Sequence, residues 1–334
     1  MKIAINGFGR IGRIFFRQAF GAPDMEITAI NDLGGLENIA YLLKYDSVYG
    51  RYEKEIKTKG GVLAVDGRKI KFFSEKDPSR LPWKELGIDV AVESTGVFDS
   101  YEKAEAHLKV GAKRAVITAP AKDNGLTKTA TPNVGISFLE TGLITSNGSC
   151  TTNAATPVAA VMMKNPGVKK AILNTVHGYT ATQGIVDGPA GKDFRRGRAA
   201  AANIVPSSTG AAEAVIKALP ALKGKFDGVA IRVPVISGSL ADFTFLAERK
   251  TSAEEINDIF RAASLEPAWQ GILAVTEEPL VSSDILKQPF GAIVDLAMTR
   301  VVDRDLVKVF SWYDNEWGYG AMLLKHIEAL KSLL

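Results

Sequence analysis

Cysteine is almost absent from this chain of 334 residues, which has a single thiol, at position 150. One cysteine excludes an internal disulfide framework and indicates a reducing compartment. Long apolar runs are also missing, and no stretch approaches the roughly 20 residues that a membrane-spanning helix needs. Because Met1 and Lys2 run directly into the apolar segment Ile3–Ile5, we expect no signal peptide and a cytoplasmic protein.

A large excess of charge of one sign is lacking too. The chain has 41 basic and 37 acidic side chains and a net charge of +4. This balance argues against a protein whose affinity rests on neutralising nucleic-acid phosphates. With 46% hydrophobic and 23% charged residues, the composition is that of an ordinary globular protein, and the length predicts about two domains. We predict no metal site.

The N-terminal segment has the pattern of a nucleotide-binding βαβ unit. A predicted strand, Ile3–Ile5, is followed by the spaced glycines of a G-x-G-x-x-G fingerprint, Gly7, Gly9 and Gly12. A helical pattern comes next. Glycines at this spacing let the backbone approach a pyrophosphate, whose charge the helix N-terminus stabilises. The hexapeptide alone is a weak signal, but here it stands between a predicted strand and a predicted helix.

Asp32 supports the same interpretation and indicates which dinucleotide binds. It follows the second predicted strand of the unit, Ile27–Ile30, about twenty residues beyond the fingerprint. A carboxylate at this position binds the ribose hydroxyls of adenosine and repels a 2′-phosphate. The sequence therefore favours NAD over NADP as the cofactor.

Further candidate ligand contacts lie at later strand ends. After a stretch that predicts hairpins, Glu53–Phe73, buried strands resume at Asp89–Glu93 and Arg114–Thr118. Their carboxyl ends, the usual ligand edge of a parallel sheet, have Thr95, Gly96 and Thr118. The alternative is that all three are ordinary turn residues.

Cys150 stands where a predicted strand, Gly142–Ser146, passes through a turn into a predicted helix. The free N–H groups and the dipole of a helix N-terminus stabilise an anion, so we expect a lowered thiol pKa and a nucleophilic cysteine. A lone cysteine is more often a buried structural residue. Its small polar neighbours, Ser149 and Thr151–Asn153, favour chemistry instead.

A nucleophilic thiol needs a base or a cationic partner, and the chain offers three histidines. His107 and His326 lie in predicted helices, where a surface or packing role is expected. His177 stands at the end of a predicted strand, Lys169–Val176, before a long polar loop, and is the best placed of the three. A structural role for a lone histidine remains the alternative.

Arginines and a helix start supply candidate anion sites. Arg232 lies among apolar residues of a predicted strand, where a charge is costly unless it is paired or faces a ligand. Thr209 and Gly210 open a predicted helix. The arginines of the long loop are either a solvated run or phosphate ligands, Arg195, Arg196 and Arg198. A nicotinamide cofactor, a thiolate, a base and two anion sites together fit oxidation of a phosphorylated aldehyde through a thioester.

The fold predicted from these elements is α/β. A Rossmann-type domain with a mostly parallel sheet comes first, and an α+β catalytic domain with a mostly antiparallel sheet follows. The second assignment rests on alternating segments such as Val229–Val233, Asp242–Leu246 and Leu306–Trp312.

Five motifs, in order along nearly the whole chain, closely resemble the phosphorylating glyceraldehyde-3-phosphate dehydrogenases. These are Asn6–Arg13, Leu43–Gly50, Ser149–Asn153, Arg198–Gly210 and Trp312–Tyr319. The resemblance implies conversion of D-glyceraldehyde 3-phosphate and inorganic phosphate to 1,3-bisphosphoglycerate, with reduction of NAD, through a hemithioacetal and a thioester on Cys150. It implies a cofactor domain of residues 1–149 with the C-terminal helix 314–334, a catalytic domain of residues 150–313, and a homotetramer.

The resemblance also implies a role for each matching residue. His177 activates Cys150 and takes the hydroxyl proton of the hemithioacetal. The substrate-phosphate site matches Thr180 and Arg232, and the inorganic-phosphate site matches Ser149, Thr151, Thr209, Gly210 and Arg196. Cofactor contacts match Arg10, Ile11, Asp32, Lys76, Thr118 and, on the nicotinamide carboxamide, Asn315.

Two rival functions stay open at this point. An erythrose-4-phosphate dehydrogenase would use the same machinery, although Thr180–Gln183 looks more like the triose enzyme. A nucleotide- or RNA-binding role is disfavoured by the intact cysteine–histidine pair and the weak net charge. The segment Asp123–Gly142 departs from the family pattern.

Overall fold

The computed structural model describes residues 1–123, 142–191 and 193–334. The family departure predicted at Asp123–Gly142 therefore lies almost wholly outside the described residues. The chain divides into two compact units. Of the described residues, the first unit takes those up to Gly148 together with Leu323–Leu334, and the second takes Ser149–Met322. The predicted domains differ from these units at Ser149 and at residues 314–322, which belong to the second unit and not to the first.

The first unit is built on a mostly parallel sheet, as predicted. Its strands, in chain order, are β1 Lys2–Asn6, β2 Glu26–Asn31, β3 Ile56–Lys59, β4 Val62–Val65, β5 Arg68–Phe73, β6 Val90–Glu93, β7 Arg114–Ile117 and β8 Ile144–Ser146. They are arranged in the order β3-β4-β5-β2-β1-β6-β7-β8. The strands from β5 to β8 in that order are parallel, whereas β3, β4 and β5 form antiparallel hairpins.

Helices cover this sheet: α1 Arg10–Ala19, α2 Leu36–Lys44, the short α3 Trp83–Leu86 and α4 Tyr101–Lys109, with a 3₁₀ turn at Pro78–Arg80. Apolar side chains of the sheet and of the helices form one core, in which Ile3 and Ile5 of β1 lie with Phe15 and Phe16 of α1. The same core also includes Leu323, Ile327 and Leu330, which lie near the C-terminus of the chain. This core fixes β1 against α1 and so fixes the turn between them.

The second unit is built on a mostly antiparallel sheet, again as predicted. Its strands are β9 Val168–Gly178, β10 Val205–Ser208, β11 Phe226–Val233, β12 Ser239–Ala247, β13 Leu273–Thr276, β14 Ala292–Val302 and β15 Leu306–Tyr313. Their order is β10-β11-β9-β12-β15-β14-β13. The parallel pairings are β11 with β9 and β13 with β14.

One face of this second sheet packs against helices and the other is open. These helices are α5 Cys150–Lys164, α6 Ala211–Ala218 and α7 Ala253–Leu265, with 3₁₀ turns at Phe194–Gly197, Pro220–Leu222, Pro267–Trp269 and Ser282–Ile285. The last helix, α8 Trp317–Leu330, begins in the second unit and ends in the first, where the 3₁₀ turn Lys331–Leu333 follows it. Phe243 and Phe245 lie in the core beneath α5 and α7, whereas Ile172, Val229 and Leu306 on the same sheet are exposed. Within the described residues, no helix is both long and apolar enough to span a membrane.

Candidate functional site

The fingerprint glycines lie in the turn between β1 and α1, and two of them are required by close packing. Gly7 has φ +91°, and a Cβ added there would lie 2.5 Å from the Thr95 backbone nitrogen. A Cβ on Gly12 would lie 2.3 Å from the Gly7 carbonyl oxygen. Gly9 differs, because an added Cβ would meet no atom within 4 Å. Gly9 therefore faces open space rather than protein.

That open space is a cavity of about 380 Å³ at the carboxyl end of the parallel strands. It brings together five of the predicted cofactor residues, Gly7, Gly9, Asp32, Lys76 and Thr95, and is also lined by Asn6, Asn31, Leu33, Glu75, Ser94, Val97 and Phe98. Asp32 accepts hydrogen bonds from the backbone N–H groups of Phe8 (2.6 Å) and Gly34 (2.8 Å). The carboxylate is thus held in a fixed orientation, as recognition of ribose hydroxyls requires.

The remaining predicted cofactor residues of this unit surround the cavity without lining it. Arg10 and Ile11 form the first turn of α1, where N–H groups are free to meet an anion. The Arg10 guanidinium is paired with Asp46. Gly96 follows β6, and Thr118 follows β7 and donates its hydroxyl to the Glu93 carbonyl oxygen at 3.1 Å.

Sequence reasoning missed several polar residues of this cavity. Asn6 and Asn31 line it, and Glu93 is buried directly behind it. A signal was available, because all three are polar residues at the last position of a strand whose two preceding residues are apolar. Such positions place polar atoms at the ligand edge of a parallel sheet.

Cys150 is the first residue of α5, as predicted. The helix begins because Ser149 is its N-cap, with the Ser149 hydroxyl accepting a hydrogen bond from the Thr152 backbone N–H at 3.0 Å. The cysteine is half-buried, and its Sγ lies 3.3 Å from Nε2 of His177. The structure thus brings the two predicted catalytic residues into direct contact.

The position of His177 follows from the sheet. The parallel pairing of β9 with β11 sets His177 beside Arg232. The His177 Nδ1 atom lies 2.6 Å from the Gly178 carbonyl oxygen and 2.5 Å from an Arg232 guanidinium nitrogen. The first contact suits a proton on Nδ1, and the second suits a proton on Nε2. The surroundings of His177 are therefore compatible with both tautomers of the neutral ring, with the proton on Nδ1 or on Nε2.

The expected lowering of the thiol pKa is contradicted. Burial raises the pKa of Cys150 above its ordinary value of 9.0, while the Arg232 charge and the Thr151 hydroxyl act in the opposite direction. Burial and the Arg232 charge together lower the pKa of His177 to about 3. Both shifts favour the uncharged forms of the pair over the predicted thiolate and imidazolium, because the loss of hydration outweighs the helix N-terminus.

Tyr313 is a second feature that sequence reasoning missed. Its buried hydroxyl lies 2.9 Å from Thr151 Oγ1 and 2.7 Å from Thr175 Oγ1. Its ring meets that of His177 edge to face, with centroids 6.0 Å apart. Tyr313 thus ties the residue after the cysteine to the strand that positions the histidine.

The other predicted phosphate residues are spread around this pair. Arg196 donates two hydrogen bonds to the Ser207 hydroxyl, at 2.9 and 2.8 Å. Burial lowers the pKa of Arg232, and the positive charge of Arg196 adds a smaller effect in the same direction. Thr180 follows β9, and its hydroxyl lies 2.9 Å from that of Thr182. Thr209 caps the turn into α6, accepting from the Ala211 N–H at 3.1 Å, and Gly210 precedes that helix. Arg232 is the predicted phosphate ligand that touches the histidine.

Asn315 belongs to the second unit, unlike the other predicted cofactor residues. Its Oδ1 accepts hydrogen bonds from the Ser239 hydroxyl at 2.8 Å and from the Ser237 hydroxyl at 3.4 Å. Ser239 in turn accepts from the Gly178 N–H at 3.2 Å. These bonds fix which end of the Asn315 amide is the donor.

Comparison with known proteins identifies two family domains in the chain. Residues 1–101 match the NAD binding domain of glyceraldehyde 3-phosphate dehydrogenase, and residues 149–315 match its C-terminal domain. The chain is 45% identical over 332 residues to a glyceraldehyde-3-phosphate dehydrogenase of Clostridium pasteurianum, covering 98% of this chain and 97% of the relative. It is 46% identical over 331 residues to the enzyme of Borreliella burgdorferi, covering 97% and 98%.

A third relative, glyceraldehyde-3-phosphate dehydrogenase 2 of Streptomyces avermitilis, is 45% identical over 325 residues, which are 97% of this chain and 96% of the relative. Similarity at this level extends across both matched domains. The cysteine–histidine pair and the glycine-lined cavity lie within those domains. The chain belongs to the glyceraldehyde 3-phosphate dehydrogenase family, with an N-terminal NAD-binding domain.

Proposed function

We propose that this protein is an NAD-dependent phosphorylating dehydrogenase that oxidises D-glyceraldehyde 3-phosphate to 1,3-bisphosphoglycerate. The observation that carries the proposal is the 3.3 Å contact between Cys150 Sγ and His177 Nε2, with Arg232 beside the imidazole, in a chain of this family. A nucleophile, a base and a cationic phosphate ligand are the parts that the reaction needs.

The cavity of the first unit fits NAD. Gly9 leaves room for a pyrophosphate beside the N-terminus of α1, and Asp32 presents a carboxylate suited to ribose hydroxyls. Lys76 lines the same cavity, where its positive charge can meet a cofactor phosphate. We assign Arg10, Ile11, Thr118 and Asn315 to the cofactor on the family resemblance, and Gly96 on its position after the carboxyl end of β6. When bound, NAD supplies the acceptor for the hydride that leaves the substrate.

The chemistry of the substrate takes place on Cys150. The sulfur attacks the aldehyde carbon, its proton passes to Nε2 of His177, and His177 gives that proton to the former carbonyl oxygen, which leaves a hemithioacetal and a neutral imidazole. His177 then takes the hemithioacetal hydroxyl proton as the carbon is oxidised to a thioester. Inorganic phosphate attacks the thioester carbon, the C–S bond breaks, and the acyl phosphate leaves. Because His177 is neutral, it can act as a base at neutral pH without first losing a proton.

Two anion sites hold the phosphate groups of the reaction. We assign the substrate phosphate to Arg232 and Thr180, and inorganic phosphate to Ser149, Thr151, Arg196, Thr209 and Gly210. Support comes from charge, since the guanidinium of Arg232 is largely buried and the positive charge of Arg196 adds a small repulsion to the cost of that burial. Binding an anion between two guanidinium groups relieves that repulsion.

The proposal is tested by initial rates of NADH formation. The purified protein is given NAD or NADP, glyceraldehyde 3-phosphate or erythrose 4-phosphate, with and without phosphate. We expect phosphate-dependent NADH formation, a preference for the triose and for NAD, and no turnover by Cys150→Ser. Absence of phosphate-dependent NADH formation would refute the proposal. A preference for erythrose 4-phosphate would make that sugar, and not glyceraldehyde 3-phosphate, the substrate.

We further propose a homotetramer that works in the cytoplasm. Two apolar surfaces of the second unit support self-association: the open sheet face with Ile172, Val229 and Leu306, and the loop with Ile185 and Phe194, whose exposures are 87% and 80%. Large apolar side chains exposed on one sheet face or in one loop are candidates for an interface. Light scattering after size-exclusion chromatography measures the assembly, and a monomer at micromolar concentration would contradict it.

A further inference from the structure

Glu93 is a carboxylate buried at the end of β6, with 2% of its surface exposed. Four neutral donors point at it. Its Oε1 accepts from the Thr95 backbone N–H at 2.8 Å and from the Thr95 hydroxyl. Its Oε2 accepts from Asn6 Nδ2 at 2.6 Å and faces His107 Nε2 at 3.0 Å. A buried carboxylate is tolerated only when its lone pairs are satisfied in this way.

The histidine end of this contact is fixed by an indole. Trp83 Nε1 lies 3.1 Å from His107 Nδ1. An indole nitrogen can only donate, so His107 Nδ1 must accept and His107 Nε2 carries the proton. His107 therefore donates to Glu93. Both Trp83 and His107 are fully buried, which leaves water no part in this choice.

On the other side of Glu93, hydrogen bonds lead through Asn6 and Asn31 to the cavity. Asn6 donates its amide to Glu93, so its Oδ1 is the acceptor, and it takes a hydrogen bond from Asn31 Nδ2 at 2.7 Å. Asn31 Nδ2 also donates to the Glu75 carbonyl oxygen at 2.9 Å, and Asn31 Oδ1 accepts from the Glu75 N–H at 2.8 Å. The Glu75 backbone fixes the Asn31 amide at one end of this chain of hydrogen bonds, and the acceptor-only Glu93 carboxylate holds the Asn6 amide at the other end in the matching direction.

Four residues of this chain line the cavity: Asn6, Asn31, Glu75 and Thr95. Asp32 lines the same cavity. We propose that Glu93 is a positioning residue for NAD, which holds the polar wall of the cofactor cavity in its binding orientation through Asn6 and Thr95, with His107 and Trp83 as the buried anchor. The proposal rests on the proposed function for the identity of its ligand.

Glu93→Gln is the variant that separates this role from simple packing. The two side chains have the same shape, but the glutamine replaces one acceptor by an NH₂ donor. Placed toward Oε2, that NH₂ faces the donors of Asn6 and His107. Placed toward Oε1, it faces the backbone N–H of Thr95. Either orientation sets a donor against a donor beside the cavity, so part of the wall must turn.

The experiment measures the NAD dissociation constant by calorimetric titration, with kcat at saturating NAD and the melting temperature beside it. We expect Glu93→Gln to raise the dissociation constant about tenfold or more, with kcat at saturation within twofold. The matched control is Thr145→Val. It removes a buried hydrogen bond of the same unit, from Thr145 to His326 at 2.8 Å, away from the cavity. The control should lower the melting temperature and leave NAD binding within twofold.

A charge exchange gives a second test of direct contact. Asn6→Asp alone sets two carboxylates 2.6 Å apart and should weaken NAD binding severely. Adding Glu93→Gln removes one of the two charges and restores an amide–carboxylate pair, so the double variant should bind NAD more tightly than Asn6→Asp. Two unrelated destabilising changes would instead add.

Three results would overturn the proposal. They are a folded Glu93→Gln that binds NAD within twofold of the parent, a Thr145→Val control that loses as much affinity, or a double variant no better than Asn6→Asp. If Glu93→Gln does not fold, ¹⁵N-histidine NMR of the parent decides, since a proton on His107 Nδ1 would refute the assigned direction. Because binding is measured without turnover, a parent that binds NAD yet oxidises no aldehyde would refute the proposed function alone.

Discussion

Gly9→Ala separates two reasons for a glycine in the fingerprint turn. Gly9 has φ −66° and ψ −157°, a conformation that alanine adopts without strain, and an added Cβ would meet no protein atom within 4 Å. The substitution should therefore leave the fold intact or stabilise it by about 0.5 kcal/mol, because alanine restricts the unfolded chain. The methyl group would instead occupy the cavity that Gly9 lines.

The expected loss of NAD affinity follows from what the methyl group displaces. A pyrophosphate held by N–H groups at the start of α1 makes hydrogen bonds to a charged group, each contributing about 1.5–3 kcal/mol. Pushing the pyrophosphate back by a methyl group breaks at least one of them. We therefore expect the NAD dissociation constant of Gly9→Ala to rise by about ten- to a hundredfold. Stability and affinity should change in opposite directions.

Gly12→Ala is the matched control in the same turn. Its Cβ would lie 2.3 Å from the Gly7 carbonyl oxygen, a backbone atom that cannot turn away. Overpacking of this kind costs about 1–3 kcal/mol of unfolding free energy. Calorimetric titration with NAD and thermal denaturation, run on both variants, give the two quantities. If Gly9→Ala binds NAD as tightly as the parent, the pyrophosphate does not lie against this turn and the reasoning fails.

Three further predictions concern titration, catalysis and cofactor choice. Burial lowers the pKa of His326 from 6.5 to about 4, so the unfolded chain binds more protons than the folded chain between these pH values. The free energy of unfolding therefore falls by up to about 3 kcal/mol as the pH drops through this range. The melting temperature of His326→Gln should fall less from pH 7 to pH 4 than that of the parent, and an equal fall would contradict this. His177→Asn should lower kcat by about two to four orders of magnitude, and a full initial rate would remove its role as base. Asp32→Ala should raise the ratio of NADP to NAD affinity about tenfold in titrations with both cofactors, against an unchanged ratio if its carboxylate does not face the ribose.

The elements with strong local signals were predictable from the sequence. An apolar strand, spaced glycines and a terminal acidic residue predict the β1–α1–β2 unit. In the structure the glycines lie in the turn between β1 and α1, and Asp32 follows β2. The alternating strands likewise predict the antiparallel sheet. What the pattern cannot give is the order of strands, because the parallel pairing of β9 with β11 joins segments about fifty residues apart.

The candidate site shows the same limit. Cys150 and His177 are found from a helix start and a strand end, but their contact depends on the packing of α5 against β9, and the place of Arg232 beside them depends on the register of β9 against β11. The predicted direction of the pKa shift of the Cys150 thiol was wrong, because burial decides it and a helix start in the sequence does not reveal burial. Tyr313 and Glu93 went unassigned for a related reason, since each acts through partners distant in sequence, such as Thr151 and His107.

The composition of the first core has a consequence for biosynthesis. Leu323, Ile327 and Leu330 pack with Ile3, Ile5 and Phe15, so a nascent N-terminal segment emerges from the ribosome with one side of its interior uncovered. That side stays uncovered until translation passes residue 330. During this interval the growing polypeptide presents apolar surface to the crowded cell, and chaperones that recognise such surface would find their longest opportunity there.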